Sequence, residues 1–173
     1  MSTVERLLAY EEIRQLAARY ALAVDSRDLD TLVGLFVDDV KVGDRRGREA
    51  LKESFVDSFR GMGTSILNIG THVIDLVDDD HATGNVYCKG EIQDGDRWIH
   101  QAILYRDRYE RRDGHWYFDR RVHLLWYGAD VGVNPLTMHR AEWPEFHDGL
   151  GSVPECWDTY KSFQAEAFRD SVG

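Results

Sequence analysis

The hydrophobic pattern changes period once, near residue 64, and that change restricts the chain to few folds. Before it, apolar residues recur at helical spacing. Ile13, Leu16, Ala17, Tyr20, Ala21 and Val24 form one stripe within Thr3 to Val24. Ser26-Arg27-Asp28 breaks that helix, and Asp28 caps a second, short one carrying Leu29, Leu32, Leu35 and Phe36. A third is predicted from Gly47 to Phe59, with Ala50, Leu51, Phe55 and Phe59 on one side. After the change the period is two. Strands are predicted at Thr64–Val77, His81–Ile92, Arg97–Arg111 and His115 to about Tyr127. Turns at Asp78-Asp79-Asp80, Asp94-Gly95-Asp96 and Asp113-Gly114 separate them, the last being a strong hairpin signal. Helices followed by an antiparallel meander make an α+β domain.

The chain after residue 128 has a different character. Pro135, Pro144 and Pro154 all lie there, beside Trp143, Phe146 and Trp157. Pro154 precedes a last helix in which Trp157, Tyr160, Gln164, Ala167 and Phe168 share a face. The predicted organisation is one domain over 1–128 and a C-terminal extension over 129–173, packed on the body or on a neighbouring subunit.

At 173 residues, 43% of them hydrophobic, the chain can bury a core. Its formal net charge of -10 argues against nucleic acid and against anionic membrane surfaces, both of which demand a basic face. Cys88 and Cys156 stand in no metal-ligand spacing and are read as reduced thiols. No signal peptide and no bilayer-spanning run is found, so a cytoplasmic location is expected.

Few residues are candidates for chemistry. Asp25 continues the buried stripe of the first helix, where it is either a helix-end capping carboxylate or one turned inward. His72 shares a strand face with Ile74 and Leu76, and should point inward. A carboxylate that holds one imidazole nitrogen leaves the other free to take a proton, so Asp25 and His72 together would form a proton-transfer pair. One of Arg120 and Arg121 must face inward, either to stabilise developing negative charge or to form a salt bridge. Tyr20 is a hydrogen-bond donor or a core tyrosine. His72, His100 and His123 match no metal-ligand motif, and no metal or cofactor is expected. There is no phosphate loop, dinucleotide fingerprint or nucleophile elbow.

Several segments resemble SnoaL-like members of the nuclear transport factor 2-like superfamily. They are Glu12 to Leu16 leading to Tyr20 and Asp25, Leu35-Phe36-Val37-Asp38-Asp39, Gly70-Thr71-His72, Ala82-Thr83-Gly84, and Tyr105 to Trp116. The resemblance spans about residues 5 to 127. It is strongest to the branch of scytalone dehydratase, bile acid dehydratase and hexachlorocyclohexane dehydrochlorinase. It implies a cone-shaped, curved antiparallel sheet enclosing a cavity, closed by three N-terminal helices. It further implies a cofactor-free lyase acting on a small, mostly apolar molecule, as a homodimer or homotrimer. Asp25 would orient His72 as general base, with Tyr20 and Arg121 assisting the leaving group. His100 maps loosely onto a second pocket histidine. Trp98, Tyr105, Trp126 and Phe55 are candidates for an aromatic wall. The same fold also serves isomerases, cyclases, epoxide hydrolases and ligand-binding modules, which remain open alternatives.

Overall fold

Ser2 and Glu5 start the first helix reciprocally. The Ser2 hydroxyl accepts from Glu5 N–H, and the Glu5 carboxylate accepts from Ser2 N–H at 2.6 Å. Helix α1 (Thr3–Ser26) ends at Arg27, whose backbone is left-handed at φ 57°. That conformation is costly for a side chain with a Cβ, and the Arg27 guanidinium locks it in place. Buried at 2% exposure, it donates to Val24 O and Gly63 O and, at 2.8 Å, to Ser65 Oγ. The computed structural model describes residues 1–132, 137–140, 155 and 158–167. Of the tail residues that stand out in the sequence, Cys156, Pro135, Pro144, Pro154, Trp143, Phe146, Trp157 and Phe168 lie outside that set.

The order is α1, α2 (Leu29–Gly34), β1 (Lys41–Val42), β2 (Arg45–Arg46), α3 (Arg48–Arg60), β3 (Ser65–Leu76), β4 (His81–Asp94), β5 (Arg97–Arg112), β6 (His115–Asp130) and α4 (Asp158–Ala167). Asp28 caps α2 by accepting from Thr31 N–H at 3.1 Å. The small β1–β2 hairpin has no periodic signal, being two residues per strand. Strands β3 to β6 form one antiparallel sheet in sequence order. Asp113 and Gly114 both have positive φ and close the β5–β6 hairpin. The segment after α2 pairs with β6 through Phe118 N–H to Leu35 O at 2.9 Å and Val37 N–H to Phe118 O at 3.0 Å, which ties the helices to the sheet edge.

The main core joins Ile13, Leu16, Phe36, Val37, Tyr109, Trp116 and Phe118. Strand β3 is divided by one irregularity. Between Ile69 and His72 the β3–β4 register shifts. Ser65, Leu67 and Ile69 face α1 before the shift, and His72, Ile74 and Leu76 face inward after it. The described part of α4 docks on the body: Thr159 Oγ1 donates to Ser26 O at 3.0 Å, the Tyr160 and Thr64 hydroxyls are 3.3 Å apart, and Phe163 packs edge-on against Phe59.

Candidate functional site

Asp25 and His72 do not pair. Asp25 lies at the end of α1 against the start of β3, where it accepts from Leu67 N–H at 2.9 Å and from the Ser65 hydroxyl at 3.1 Å. His72 is five residues beyond Leu67, roughly 15 Å along a strand. The α1 charge that bears on it is Arg14, eleven residues before Asp25 and roughly 16 Å up the helix. His72 Nε2 lies 3.0 Å from the Tyr109 hydroxyl, which donates to Asp107 Oδ2 at 2.8 Å. The expected carboxylate–imidazole pair is therefore replaced by an imidazole–phenol pair. The helix geometry and the shift in β3 are the cause.

The polar chain from His72 continues to Arg121, which faces inward. Its guanidinium donates to both Asp107 oxygens, at 2.9 and 2.7 Å, and its charge centre lies 4.3 to 4.4 Å from the ring centres of Tyr20, Tyr105 and Phe118. Burial alone would lower the Arg121 pKa, but Asp107 outweighs it and holds the pKa above the ordinary value. His72 falls to about 4, chiefly because burial disfavours the imidazolium, with Asp107 opposing. A Cβ added at Gly84 would lie 2.9 Å from the Tyr109 hydroxyl and 3.1 Å from His72 Nε2, so glycine there makes room for the pair.

The cavity lies elsewhere. About 210 Å³ opens between α1, α3 and the inner face of the sheet. Tyr20, Phe55, Phe59, Met62, Leu67 and Ile103 supply apolar walls, and Ser65, Gln101, Tyr105 and His123 the polar groups. The aromatic wall thus contains Phe55 and Tyr105, with Tyr20 packed edge-on against both at centroid distances of 6.3 and 5.9 Å. The Tyr20 and Tyr105 hydroxyls make no hydrogen bond among the described residues, yet neither is sealed, so both are presented to open space. Burial raises both phenol pKa values, and the nearby Arg121 charge opposes this. His123 stands at the exposed mouth, its ring 5.5 Å from that of Tyr105. It also has no hydrogen-bond partner among the described residues, and partial desolvation lowers its pKa. Asp25 sits behind Ser65 and Leu67, with its carboxyl pushed up to about 6 by burial, against the Leu67 and Ser65 hydrogen bonds and the Arg27 charge. Arg121 does not line the cavity and lies behind the two phenol rings.

Three aromatic or imidazole candidates lie outside this space. Trp98 is buried on the opposite face of β5 and donates from Nε1 to Glu91 at 2.9 Å. His100 shares that face, 3.6 Å from the same carboxylate. Trp126 occupies an extra position where the β5–β6 register shifts, and stacks on Tyr87 on the outer surface. Alternation along β5 explains Trp98 and His100. Gln101, Ile103, Tyr105, Asp107 and Tyr109 form the inner row of β5, which sends Trp98 and His100 outward. The functional groups that sequence reasoning missed, Gln101, Ser65 and Asp107, belong to such rows. His123, considered only as a metal ligand, lies two residues from Arg121 on the same strand face, a signal that was available.

A family profile described as SnoaL-like domain matches residues 5–122. The chain belongs to the SnoaL-like domain family. This SnoaL-like domain is 29% identical over 129 residues to the gamma-hexachlorocyclohexane dehydrochlorinase of Sphingobium indicum, covering 70% of this chain and 83% of the relative. Its fold matches that of a hexachlorocyclohexane dehydrochlorinase from Novosphingobium barchaimii, with a TM-score of 0.68, 24% identity and coverage of 76% and 95% of the two chains. It also matches a protein described as a putative scytalone dehydratase from Novosphingobium aromaticivorans, with a TM-score of 0.64, 20% identity and coverage of 76% and 93%. The cone architecture of the superfamily is therefore present in this SnoaL-like domain. No helix among its described residues is long and apolar enough to cross a membrane.

Proposed function

We propose that this SnoaL-like domain is a cofactor-free lyase that removes a proton and a leaving group from a small, largely apolar molecule held in the cavity. The observation that carries the reading is the unpartnered His123 imidazole at the cavity mouth, beside two phenol hydroxyls that are also without protein partners among the described residues. His123 accepts the substrate proton. The electrons of the broken C–H bond become the new double bond, and the leaving group departs with its own bonding pair. Tyr20 donates a hydrogen bond to that group. The raised phenol pKa keeps the Tyr20 proton in place until negative charge develops nearby. The dehydrochlorinases among its relatives support the reaction class.

His72 has no part in this reading, because its Nε2 is engaged by Tyr109 and it lines no wall of the cavity. The test is a screen of small halogenated and hydroxylated ring compounds for release of halide or water, followed by variants. His123→Gln should lower turnover by about 10²–10⁴-fold, and Tyr20→Phe by about tenfold or more, with both proteins folded. Loss of the base also removes the acidic limb of the pH profile, which lies below the ordinary imidazole value of 6.5 because His123 is shifted down. Full activity in His123→Gln would end the assignment. A second reading, isomerisation with Asp25 as the proton carrier, has in its favour a carboxyl pKa of about 6 and a Ser65 hydroxyl that both contacts Asp25 and lines the cavity, though Asp25 itself lines no wall. Product mass separates the two, being unchanged for isomerisation and reduced for elimination.

A further inference from the structure

Among the polar groups that line the cavity, Gln101 is the one with a side-chain atom both shielded from solvent and without a hydrogen-bond partner among the described residues. Gln101 lies on the inner row of β5, opposite Gly90 of β4 on one side and Gly128 of β6 on the other. Neither directly opposite residue therefore offers a side chain to its amide. A Cβ at Gly90 would lie 3.7 Å from Gln101 Cβ, and one at Gly128 would lie 3.8 Å from its Cγ and 3.9 Å from its Nε2. Gln101 Oε1 is sealed from solvent and accepts no hydrogen bond, and Nε2 donates none among the described residues. A shielded amide oxygen without a partner is unfavourable, and such atoms are normally satisfied, whereas the amide nitrogen is not shielded in this way. Rotation about the last side-chain bond exchanges its oxygen and nitrogen, so the amide can present a donor or an acceptor to the same place.

From this geometry we infer that Gln101 selects an oxygen-bearing substrate, so that the cavity takes a monocyclic alcohol or ketone in preference to the halogenated hydrocarbon of the same shape. A hydroxyl can accept from the amide N–H or donate to its oxygen, and a carbonyl can accept. A carbon-bound chlorine can donate nothing and accepts weakly, which leaves the buried amide unpaired when the ligand displaces water. A site built to hydrogen-bond an oxygen rejects the analogue that lacks it for that reason. Size limits the ligand too. An apolar cavity of about 150 Å³ accommodates benzene, so about 210 Å³ accommodates a single ring with small substituents. The Tyr105 hydroxyl lines the same cavity and offers a second donor to the ligand oxygen. For the reaction, the inference rests on the lyase reading and narrows it to loss of water; as a statement about binding, it stands on the Gln101 geometry.

The test compares cyclohexanol and cyclohexanone with chlorocyclohexane, by ligand-observed NMR titration of wild type, Gln101→Leu and Gln101→Met. Wild type should favour the oxygenated ligands by about fivefold to tenfold, the size of one neutral hydrogen bond. Both variants should bring the three affinities within about twofold, chiefly by weakening the oxygenated ligands. Their ligand-free melting temperatures should be at or above wild type, because an unpaired amide has been removed. The inference is overturned if wild type shows no preference or binds none of the three, or if either variant keeps the preference. A Gln101-dependent preference with no turnover on any ring compound would retain the inference and remove the lyase reading. Chloride release without Gln101 dependence would do the reverse.

Discussion

Two arginines join α1 and the sheet, and their partners differ. Arg27 directs its guanidinium at neutral acceptors, the Val24 and Gly63 carbonyls and the Ser65 hydroxyl, and burial lowers its pKa. Its nearest carboxylate, Asp25, is reached through Ser65 and has its own pKa raised to about 6. Arg121 instead makes a bidentate pair with Asp107, with side chains 4% and 0% exposed, and its pKa rises. An ion pair made directly keeps both charges in place. One relayed through a hydroxyl leaves the carboxyl incompletely compensated for lost water, and so more ready to hold a proton. The direct pair therefore lies in the packed core behind the cavity, and the relayed pair beside it.

The sharpest way to break this contrast is to remove one half of the direct pair. Asp107→Ala leaves a buried guanidinium uncompensated and should cost about 3–5 kcal/mol, measured as a fall in the urea midpoint at constant slope. Ser65→Ala at the relayed pair should cost distinctly less. Equal losses would show that the two arginines are energetically alike. Gly84→Ala should cost about 1–3 kcal/mol by crowding Tyr109 and His72, readable as a lower melting temperature. An unchanged value would mean that the imidazole–phenol contact is loose.

The smallest effect is in pH dependence, where the two clusters have opposite signs. Asp25 has a folded pKa of about 6 against an ordinary 3.8, so its contribution is fully present below about pH 4 and is lost as pH rises through 6. Asp25→Asn should therefore be more stable than wild type at pH 7.5, by on the order of 1 kcal/mol after allowing for the carboxyl's partial exposure, and should match wild type at pH 4. His72 has a folded pKa of about 4 against 6.5. Its contribution is present above 6.5 and is lost as pH falls towards 4. His72→Gln should flatten that acid loss. Melting curves of both variants from pH 4 to 8 check the pair, and slopes of the same sign would contradict the assigned causes.

Particular residues show how far the sequence could be read. The α1 stripe, the Asp28 cap and the Asp113-Gly114 turn each act within a few residues of chain, so helix and strand boundaries were predicted to within a few positions. Alternation required one of Arg120 and Arg121 to turn inward, and the family resemblance pointed to Arg121, to Tyr20 and to a cavity, of whose four expected wall residues only Tyr105 and Phe55 line it. Which side chains would meet did not follow from either. Asp25 and His72 both turn inward, but they meet different partners, because a shift between Ile69 and His72 and the rise along α1 keep them apart. Gly70 within the shift is a local hint, because an isolated glycine in a strand marks a bulge, but which side chains the shift brings together appears only in the pairing with a neighbouring strand.

Local spacing and turn chemistry, acting over a few residues, are enough to select an α+β chain with four antiparallel strands and an acidic surface. The distribution of its polar groups was decided in three dimensions. Whether Arg121 meets Asp107, whether Gln101 lies between two glycines, and whether an imidazole faces a phenol or a carboxylate all depend on strand register. Register is a property of two segments at once, and neither segment contains it alone.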